Sequence, residues 1–226
     1  MAFSIHSVYG QIFKMWRRKR YQTFLAEIRP QAHEWMLDIG GYPGNWTEPP
    51  QTLRQIDCLN VHLVEWEPGN HPSHRIEALV GDGCALEYPD HSYDIAYSNS
   101  VIEHVGDWDR QVAFAAEIRR VGRRLWVQTP AYECPIEPHF LAPFVHWFPV
   151  PIRRVLVRWL TPWGWIQRPS REEVARTIDS TQLLTKGQMR ALFPDCRILT
   201  ERLAWVLPKS YIAVRDDTGP GTAKNV

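Results

Sequence analysis

The sequence predicts an α/β fold, a three-layer sandwich with a mostly parallel, seven-stranded sheet and an insertion after the fifth strand. Three observations support this prediction. Short apolar segments alternate with polar or helical segments up to residue 130, the pattern of parallel strands covered by helices. The first clear strand runs into a glycine-rich turn, LDIGGYPG, and sheets of this kind bind ligands at such turns. A length of 226 residues suits one domain of this size.

The N-terminal residues predict a helix that precedes the sheet. Apolar side chains recur at helical spacing over residues 5–28, and Pro30 ends the pattern. We interpret the basic run Arg17–Arg20 as a solvated helix side rather than a contact for lipid or nucleic acid. The predicted parts are an N-terminal helical segment at 1–30, a domain at 31–215 that contains the insertion at 130–180, and a disordered tail at 216–226.

Five strands are predicted from apolar runs that end in turn residues. They lie near residues 35–39, 61–65, 76–81, 93–98 and 124–129. The connection after the fourth of them predicts a helix that Asp107 caps and Gly122 ends. Its buried side is expected to consist of Trp108, Val112, Ala115, Ala116 and Ile118.

The predicted insertion is rich in proline and tryptophan. It contains a helix on which Ile152, Val155, Leu156, Trp159 and Leu160 share one face, while Arg153, Arg154 and Arg158 lie off it. A solvated side is favoured for these arginines over contact with an anionic membrane or a phosphorylated molecule. Beyond it, Thr185 and Gln188 predict a capping box for a helix through Leu192. Apolar runs near 197–204 and 209–214 are expected to close the sheet.

Composition limits the classes of function. A formal net charge of +1 gives no overall field that attracts nucleic acid. The four cysteines lie far apart and form no Cys-x-x-Cys pair, which argues against a zinc ribbon or a disulfide framework and predicts reduced thiols. No apolar segment approaches the roughly 20 residues of a membrane span, and the N-terminus lacks the apolar core of a signal peptide. We therefore predict a cytoplasmic location.

The glycine-rich turn favours one class of nucleotide ligand over another. A dinucleotide fingerprint needs glycines where this chain has Tyr42 and Asn45, and Pro43 removes a backbone donor that a pyrophosphate would use. The carboxylate of Asp38 suits an α-ammonium group better than a phosphate. An acid at the end of the next strand can bind two ribose hydroxyls, and Glu65, at 65 − 38 = 27 positions beyond Asp38, is the candidate, with Glu67 as the reserve.

These features resemble the class I S-adenosylmethionine-dependent methyltransferases, specifically the small type 11-like enzymes. Three blocks carry the resemblance in order, LDIGGYPG, VHLVEWEP and VGDGCALEYPDHSYDIAYSNSVIEHV, and it covers roughly residues 30–215. The first block is similar to the family's Asp-x-Gly-x-Gly-x-Gly motif, with Tyr42 in place of the middle glycine. The resemblance implies a Rossmann-like fold and S-adenosylmethionine as cofactor.

The resemblance also implies which residues bind the cofactor. Asp38, Gly40 and Gly44 would line its methionine part, Glu65 would bind the ribose, and Asp82 would receive the adenine amino group. Ser98 and Asn99 would lie near the sulfonium. The full predicted set is Asp38, Gly40, Gly41, Gly44, Glu65, Trp66, Asp82, Gly83, Ser98 and Asn99.

Methyl transfer from a sulfonium is an in-line displacement, so the protein aligns the acceptor and removes a proton where the nucleophile carries one. The candidate catalytic residues are His104, His139 and His146, and the segment also offers Glu133 and Glu137 as bases. Glu133, Cys134, Glu137 and His139 could together hold a metal, but their spacing is not typical of zinc, and no metal site is predicted. The insertion's aromatic residues are expected to form an acceptor lid, a small core, or both: Phe140, Phe144, Trp147, Phe148, Trp159, Trp163 and Trp165.

The predicted function is methyl transfer from S-adenosylmethionine to a small-molecule acceptor, such as a natural-product, lipid or sugar intermediate. Two alternatives stay open at this point. A nicotinamide-dependent Rossmann reductase shares the layout of strand, glycine turn and acid, and a catalytically inactive scaffold would explain the absence of an obvious base. The chain is expected to be a monomer or homodimer that binds no nucleic acid, and peripheral membrane contact is not favoured.

Overall fold

The computed structural model describes residues 5–46, 50, 53–60, 75–137, 139–140, 142–204 and 206–216, with side chains from residue 15 onward. Within this part a helix, α1 (Ile5–Ile28), comes first, as predicted. From residue 217 onward, the tail predicted to be disordered lies outside the described residues. None of the described helices has both the length and the apolar composition needed to cross a bilayer.

One seven-stranded sheet forms the centre of the molecule. Its strands are β1 (Trp35–Ile39), β2 (Gln55–Leu59), β3 (Ile76–Leu79), β4 (Tyr93–Asn99), β5 (Gly122–Pro130), β8 (Arg197–Leu203) and β9 (Leu207–Arg215). Their order is β3–β2–β1–β4–β5–β9–β8. Strands β1 to β5 pair in parallel, whereas β9 runs antiparallel to both β5 and β8. The predicted fold class is confirmed, with the insertion between β5 and β8.

The second strand was not predicted. Strand β2 pairs with β1 in parallel, whereas the strand predicted at 61–65 lies outside the described residues. The segment QIDCL does not look like a buried strand, because Asp57 stands in its middle and an unpaired carboxylate is unfavourable inside a sheet. Here the hydroxyl of Tyr93 donates to Asp57 Oδ2 at 2.7 Å, so that the buried carboxylate is satisfied.

Two apolar cores lie on opposite faces of the sheet. On one face α1 places Phe24 and Ile28 against Met36 and Trp126. On the other face, helix α2 (Trp108–Val121) packs against the same strands. Asp107 caps α2 by accepting a hydrogen bond from the Arg110 backbone, and Gly122 follows its last residue, as predicted.

The buried side of α2 differs from the prediction. Ala115 and Ile118 are buried, but Trp108, Val112 and Ala116 are exposed. The buried residues of this helix are Gln111, Phe114, Ala115, Ile118 and Val121, which recur at three- and four-residue intervals. Phe114 and Val121 therefore define the face, and the predicted face was rotated away from them.

The insertion has a small core of its own. It contains a short hairpin, β6 (Ile136–Glu137) with β7 (Ala142–Pro143), and the helices α3 (Val150–Leu160), α4 (Pro162–Gln167) and α5 (Arg171–Asp179). Helix α6 (Lys186–Leu192) follows with the predicted Thr185–Gln188 capping box. The core consists of Phe140, Ala142, Val145, Val157, Val174 and Ile178.

Helix α3 is amphipathic, but its orientation is the reverse of the expected one. Val157 is fully buried, whereas the predicted apolar face is largely exposed: Val155 is 60% and Trp159 62% exposed. Of the insertion's aromatic residues, Phe140 belongs to the small core and Trp163 packs against it at 5.5 Å between ring centroids. The others are exposed: Phe144, Trp147, Phe148, Trp159 and Trp165.

Helix α1 is attached to the last two strands of the sheet. Arg20 forms an ion pair with Glu201 on β8 at 2.8 Å. The side-chain nitrogen of Lys209 on β9 lies 4.1 Å from the centre of the Trp16 ring. These contacts join segments that are far apart in the sequence, and Arg20 also donates to Asn99 and Gln128 at the carboxyl ends of β4 and β5.

Candidate functional site

The strand order identifies where a ligand crevice should lie. From β1 the sheet extends in one direction through β2 and β3 and in the other through β4 and β5, so the strand order reverses between β1 and β4. Open α/β sheets bind ligands at the carboxyl ends of the strands beside such a reversal. The residues that follow β1, β2, β4 and β5 therefore form the candidate site.

The turn after β1 is built so that only glycine fits at two positions. Gly40 has φ +82°, and a Cβ atom there would lie 2.3 Å from Cγ2 of Val101. A Cβ on Gly41 would lie 1.9 Å from a carboxylate oxygen of Asp38. By contrast, no described atom lies within 4 Å of the Cβ position of Gly44. The first two glycines thus hold the turn close to Asp38 and Val101, and Gly44 stands apart from this contact.

Asp38 is a buried carboxylate at the end of β1. It is 3% exposed, and the indole Nε1 of Trp46 donates to its Oδ2 at 2.7 Å. Burial raises the pKa of Asp38 to about 7, and the Trp46 hydrogen bond offsets part of that rise. A nearby positive charge would favour the ionised form. The site is therefore suited to a ligand with an ammonium group.

The residue that follows β2 is an amide, Asn60. Strand β2 ends at Leu59, and Asn60 follows it with its side-chain nitrogen donating to the carbonyl of Gly40 at 3.0 Å. Asn60 thus supports the glycine turn from the neighbouring strand. Glu65 and Trp66, the predicted residues for this part of the site, lie outside the described residues.

Asp82 and Gly83 lie in the loop after β3. Asp82 accepts hydrogen bonds from the Cys84 backbone at 2.9 Å and from Arg110, with which it forms an ion pair at 2.9 Å. Burial raises the pKa of Asp82, but these bonds outweigh burial and hold it below its usual value. A Cβ on Gly83 would lie 2.7 Å from Ile39 Cγ2, which places this loop against the end of β1.

Ser98 and Asn99 end β4 in different environments. Ser98 is fully buried, and its hydroxyl has no hydrogen-bond partner in the described part of the chain. The side-chain oxygen of Asn99 accepts from Nη1 of Arg20 at 2.9 Å, and the same guanidinium nitrogen donates to Gln128 on β5 at 2.9 Å. Helix α1 therefore reaches the crevice through Arg20, a contact that the basic run in the sequence did not predict.

Two of the three predicted catalytic histidines meet at this edge of the sheet. Nε2 of His104 lies 3.0 Å from Nε2 of His139, although 35 positions separate them in sequence. Nδ1 of His139 donates to Oε1 of Glu137 at 2.6 Å, and the other oxygen of Glu137 accepts from the Phe140 backbone at 2.7 Å. Glu137 is therefore a positioning residue for His139.

The surroundings shift the pKa values of the two histidines in opposite directions. Desolvation lowers the pKa of His104, and the neighbouring His139 lowers it further. Desolvation alone would lower the pKa of His139, but the hydrogen bond and charge of Glu137 outweigh it and raise the pKa. The pair thus contains one ring that is more easily protonated and one that is less so.

Glu103 lies beneath this pair and was not predicted as a site residue. It is fully buried; Thr129 donates to its Oε2 at 3.0 Å, while its Oε1 has no hydrogen-bond partner among the described residues. Burial raises the pKa of Glu103 to about 7. Its place in the IEHV motif, next to His104, was the available signal.

The remaining candidates, His146 and Glu133, form hydrogen bonds away from the histidine pair. Nε2 of His146 lies 2.9 Å from the carbonyl oxygen of Tyr132. Because a carbonyl oxygen only accepts hydrogen bonds, Nε2 is the donor. Desolvation lowers the pKa of His146. Glu133 accepts from the Tyr211 hydroxyl at 2.8 Å and from the Lys186 backbone at 3.2 Å. Neither side chain is part of the His104–His139 pair.

The sequence comparison identifies a family. A family model described as "Methyltransferase domain" matches residues 13–184, which is more than half of the chain. A search of curated proteins found no match.

Several solved methyltransferase structures share the fold. A methyltransferase dependent on S-adenosylmethionine from Anabaena variabilis has a TM-score of 0.54 and 14% identity, with 86% of this chain and 82% of that chain covered. The complex between the Haloferax volcanii Trm112 methyltransferase activator and a putative methyltransferase gives 0.53 and 13%, with 91% of both chains covered. A putative sarcosine dimethylglycine methyltransferase from Galdieria sulphuraria gives 0.50 and 18%; 83% of this chain matches 60% of that protein's length. At these identities the likeness shows the fold alone.

Proposed function

The chain belongs to the methyltransferase-domain family, and on that premise we propose that it transfers the methyl group of S-adenosylmethionine to a small-molecule acceptor. One observation carries the proposal. The glycine turn that surrounds Asp38 and the His104–His139 pair lie at the same edge of the sheet, joined by Val101, whose side chain fills the space beside Gly40. One crevice can therefore hold a cofactor on one side and an acceptor on the other.

The residues of the turn fit the methionine end of the cofactor. Asp38 supplies a carboxylate for the α-ammonium group, and the absence of side chains at Gly40 and Gly41 lets the backbone approach the ligand. Asn60 and Trp46 hold these groups in place. When bound, S-adenosylmethionine supplies an activated methyl group on a positively charged sulfur.

The residues of the loops after β4 and β5 fit the acceptor. His104 is exposed and His139 half-buried, so the pair is open to a molecule that enters over the sheet edge. Since the reaction is an in-line displacement, the task of these side chains is to hold the nucleophilic atom in line with the methyl group. His146 is assigned to holding the insertion together through Tyr132.

The nature of the acceptor is inferred from the site's surroundings. The chain has a formal net charge of +1, which gives no overall field that attracts nucleic acid. The insertion that carries His139 also presents exposed aromatic side chains, among them Phe144 and Trp147, which suit a small organic molecule such as a natural-product, lipid or sugar intermediate.

The test is calorimetric titration with S-adenosylhomocysteine, using two glycine variants as a matched pair. In Gly41→Ala the new Cβ collides with the Asp38 carboxylate, whereas in Gly187→Ala, on the exposed side of α6, the nearest described atom is Thr185 Oγ1 at 3.9 Å. We expect Gly41→Ala to weaken binding about tenfold or more, a loss of ~1.4 kcal/mol, and Gly187→Ala to bind as the wild type does. Equal effects in the two variants would place the cofactor elsewhere.

Two further measurements address the alternatives. Titration with NADH tests the nicotinamide-dependent reductase, which the family membership does not support; we expect no binding. Transfer of a labelled methyl group to a panel of hydroxyl-, amine- and carbon-acid acceptors tests the inactive scaffold. Binding of S-adenosylhomocysteine with no transfer to any member of the panel would favour the scaffold.

A further inference from the structure

We propose that Glu103, His104 and His139 bind one divalent transition-metal ion, and that this ion holds an oxygen atom of the methyl acceptor beside the cofactor crevice. The ligand atoms of the three residues all lie within 4.8 Å of one another. The role given to the ion in acceptor binding rests on the proposed function.

The two imidazole rings are arranged as metal ligands usually are. Their Nε2 atoms face each other at 3.0 Å, and two nitrogen ligands of a tetrahedral zinc ion, each ~2.05 Å from the metal, lie roughly 3.3 Å apart. An opening of a few tenths of an ångström would admit the ion. Without an ion, the same approach is an N–H···N hydrogen bond between the rings, which metal binding would replace.

The inner nitrogens of both rings have partners that fix their orientation. His139 donates from Nδ1 to Glu137 at 2.6 Å, and Nδ1 of His104 lies 3.5 Å from the Thr181 hydroxyl. Metal-bound histidines usually donate their second N–H to a carboxylate, a carbonyl or another oxygen, which orients the ring and makes it a better ligand. Glu137 and Thr181 stand in these outer positions.

The buried carboxylate supplies the third ligand and an independent reason for a cation. Glu103 is fully buried, and its Oε1 has no hydrogen-bond partner among the described residues. A buried oxygen left without a partner is costly, and a metal ion would satisfy it. Thr129 already holds the other oxygen, so that Oε1 is the atom available for coordination.

The donor set indicates the class of ion. Two imidazoles and one carboxylate favour zinc, iron, cobalt or manganese over magnesium and calcium, which prefer all-oxygen sites. Three protein ligands leave at least one position open. The sequence predicts no metal site and offers Glu133, Cys134 and Glu137 as the possible co-ligands of His139. In the structure Glu133 accepts from Tyr211 and Lys186, and Glu137 accepts from Nδ1 of His139, which leaves the outer nitrogen of that ring for a metal.

The position of the site assigns an acceptor class. The turn that bears Glu103 and His104 follows Val101, which contacts the Gly40 turn. A hydroxyl group held at the open position becomes more acidic, because the cation favours its oxyanion. Its O–H bond breaks and the proton passes to solvent. The oxygen then forms a bond to the methyl carbon, the carbon–sulfur bond breaks with its electron pair going to sulfur, and the products are a methyl ether and S-adenosylhomocysteine.

The test is titration of chelator-treated, full-length protein with Zn²⁺ and, separately, Co²⁺. We expect one ion per chain. His104→Ala and His139→Ala should each weaken binding by about 100-fold or more, since even outer-shell changes cost 10- to 100-fold. Glu103→Gln keeps the Thr129 contact and should also weaken it, and Glu137→Gln should have a smaller effect of about tenfold. His33→Ala, at an exposed histidine outside the cluster, is the matched control and should bind as the wild type does.

Co²⁺ gives a readout that a structural role would not produce. Its visible absorption bands report nitrogen ligands, and we expect them to change in each histidine variant but not in His33→Ala. Circular dichroism checks that the variants are folded. Absent binding, or binding unchanged in the His104→Ala/His139→Ala double variant, would overturn the metal site.

The outcomes separate this inference from the proposed function. S-adenosylhomocysteine binding that persists in chelated protein, together with no metal binding, would leave the cofactor site standing and reject the ion. Metal binding without any S-adenosylhomocysteine binding would support the metal site and reject the proposed cofactor site. Transfer to amine acceptors that is equally fast with and without the ion would reject the oxygen acceptor.

Discussion

The sheet and the insertion use similar apolar side chains in different ways. Around the sheet, Phe24 on α1, Phe114 on α2 and Trp126 on β5 are each 0% exposed, and helices pack on both faces. In the insertion, Trp159 is 62% and Leu160 64% exposed, and the core contains few residues. The difference shows that amphipathic periodicity predicts the existence of a helix, whereas the face that becomes buried depends on how much surface the neighbouring elements offer.

The largest effect is expected from removing a side chain of the sheet core. Phe114→Ala leaves a cavity between α2 and the sheet, and we expect it to lower the free energy of unfolding by about 3–5 kcal/mol. Chemical denaturation measures this loss. A loss below about 1 kcal/mol would mean that the core rearranges to fill the space.

A smaller loss of stability is expected from breaking the ion pair between Arg20 and Glu201, which joins α1 to the sheet. Arg20→Ala removes the bonds to Glu201, Asn99 and Gln128, and leaves a largely buried carboxylate, so we expect a loss of about 2 kcal/mol. The matched variant in the insertion is Arg154→Ala, whose pair with Asp179 is about half exposed. It should cost about 0.2–1 kcal/mol. Equal losses for the two variants, measured by denaturation, would contradict the comparison.

The pH dependence of cofactor binding should report on Asp38. An ammonium group opposite its carboxylate favours ionisation, so binding below the pKa of about 7 must release a proton. We expect the affinity for S-adenosylhomocysteine to fall about tenfold per pH unit below 7 and to level off above it. Calorimetry in buffers of different ionisation enthalpy measures the released proton. Asp38→Asn should abolish the slope, and a slope that persists in this variant would assign it to another group.

The raised pKa of Asp38 also determines how the stability of the unliganded protein depends on pH. The folded-state pKa of Asp38, about 7, lies above its ordinary value of 3.8, so the folded protein keeps the proton over a range in which the unfolded chain has lost it. In the unliganded protein this group therefore lowers stability as the pH rises from about 4 to about 7. Thermal unfolding of the wild type and Asp38→Asn across this range separates its contribution.

The smallest effect is expected on the exposed face of α3. Trp159→Ser removes a large side chain that is already in solvent, and we expect the free energy of unfolding to change by no more than about 0.5 kcal/mol. Thermal unfolding provides the comparison with Phe114→Ala. A loss of several kcal/mol would show that the face is covered in solution, and sedimentation of the wild type would then show whether a second copy covers it.

Much of the fold could be predicted because its signals are local. The alternation of apolar runs indicated four of the parallel strands, and the capping residues Asp107 and Thr185 marked the starts of two helices. Strand β2 was missed because the hydroxyl that satisfies Asp57 comes from Tyr93 on another strand. A long-range partner of this kind leaves no mark on the local pattern.

The site was less predictable for the same reason. The glycine turn is a local feature, and it identified Asp38, Gly40 and Gly41 as neighbours. The meeting of His104 with His139 depends on the path of the chain after β5, and the approach of Arg20 depends on how α1 packs. Neither can be obtained from spacing along the sequence.

The contacts between α1 and the last hairpin have a consequence for how the chain folds during its synthesis. Helix α1 leaves the ribosome early, but its partners Glu201 and Lys209 are made only after the rest of the sheet. The ion pair between Arg20 and Glu201 spans 181 positions, so it forms only after some 180 further residues have been translated, at about 5–20 residues per second. The completed crevice edge is thus a late product of folding, because Arg20 also holds Asn99 and Gln128 there.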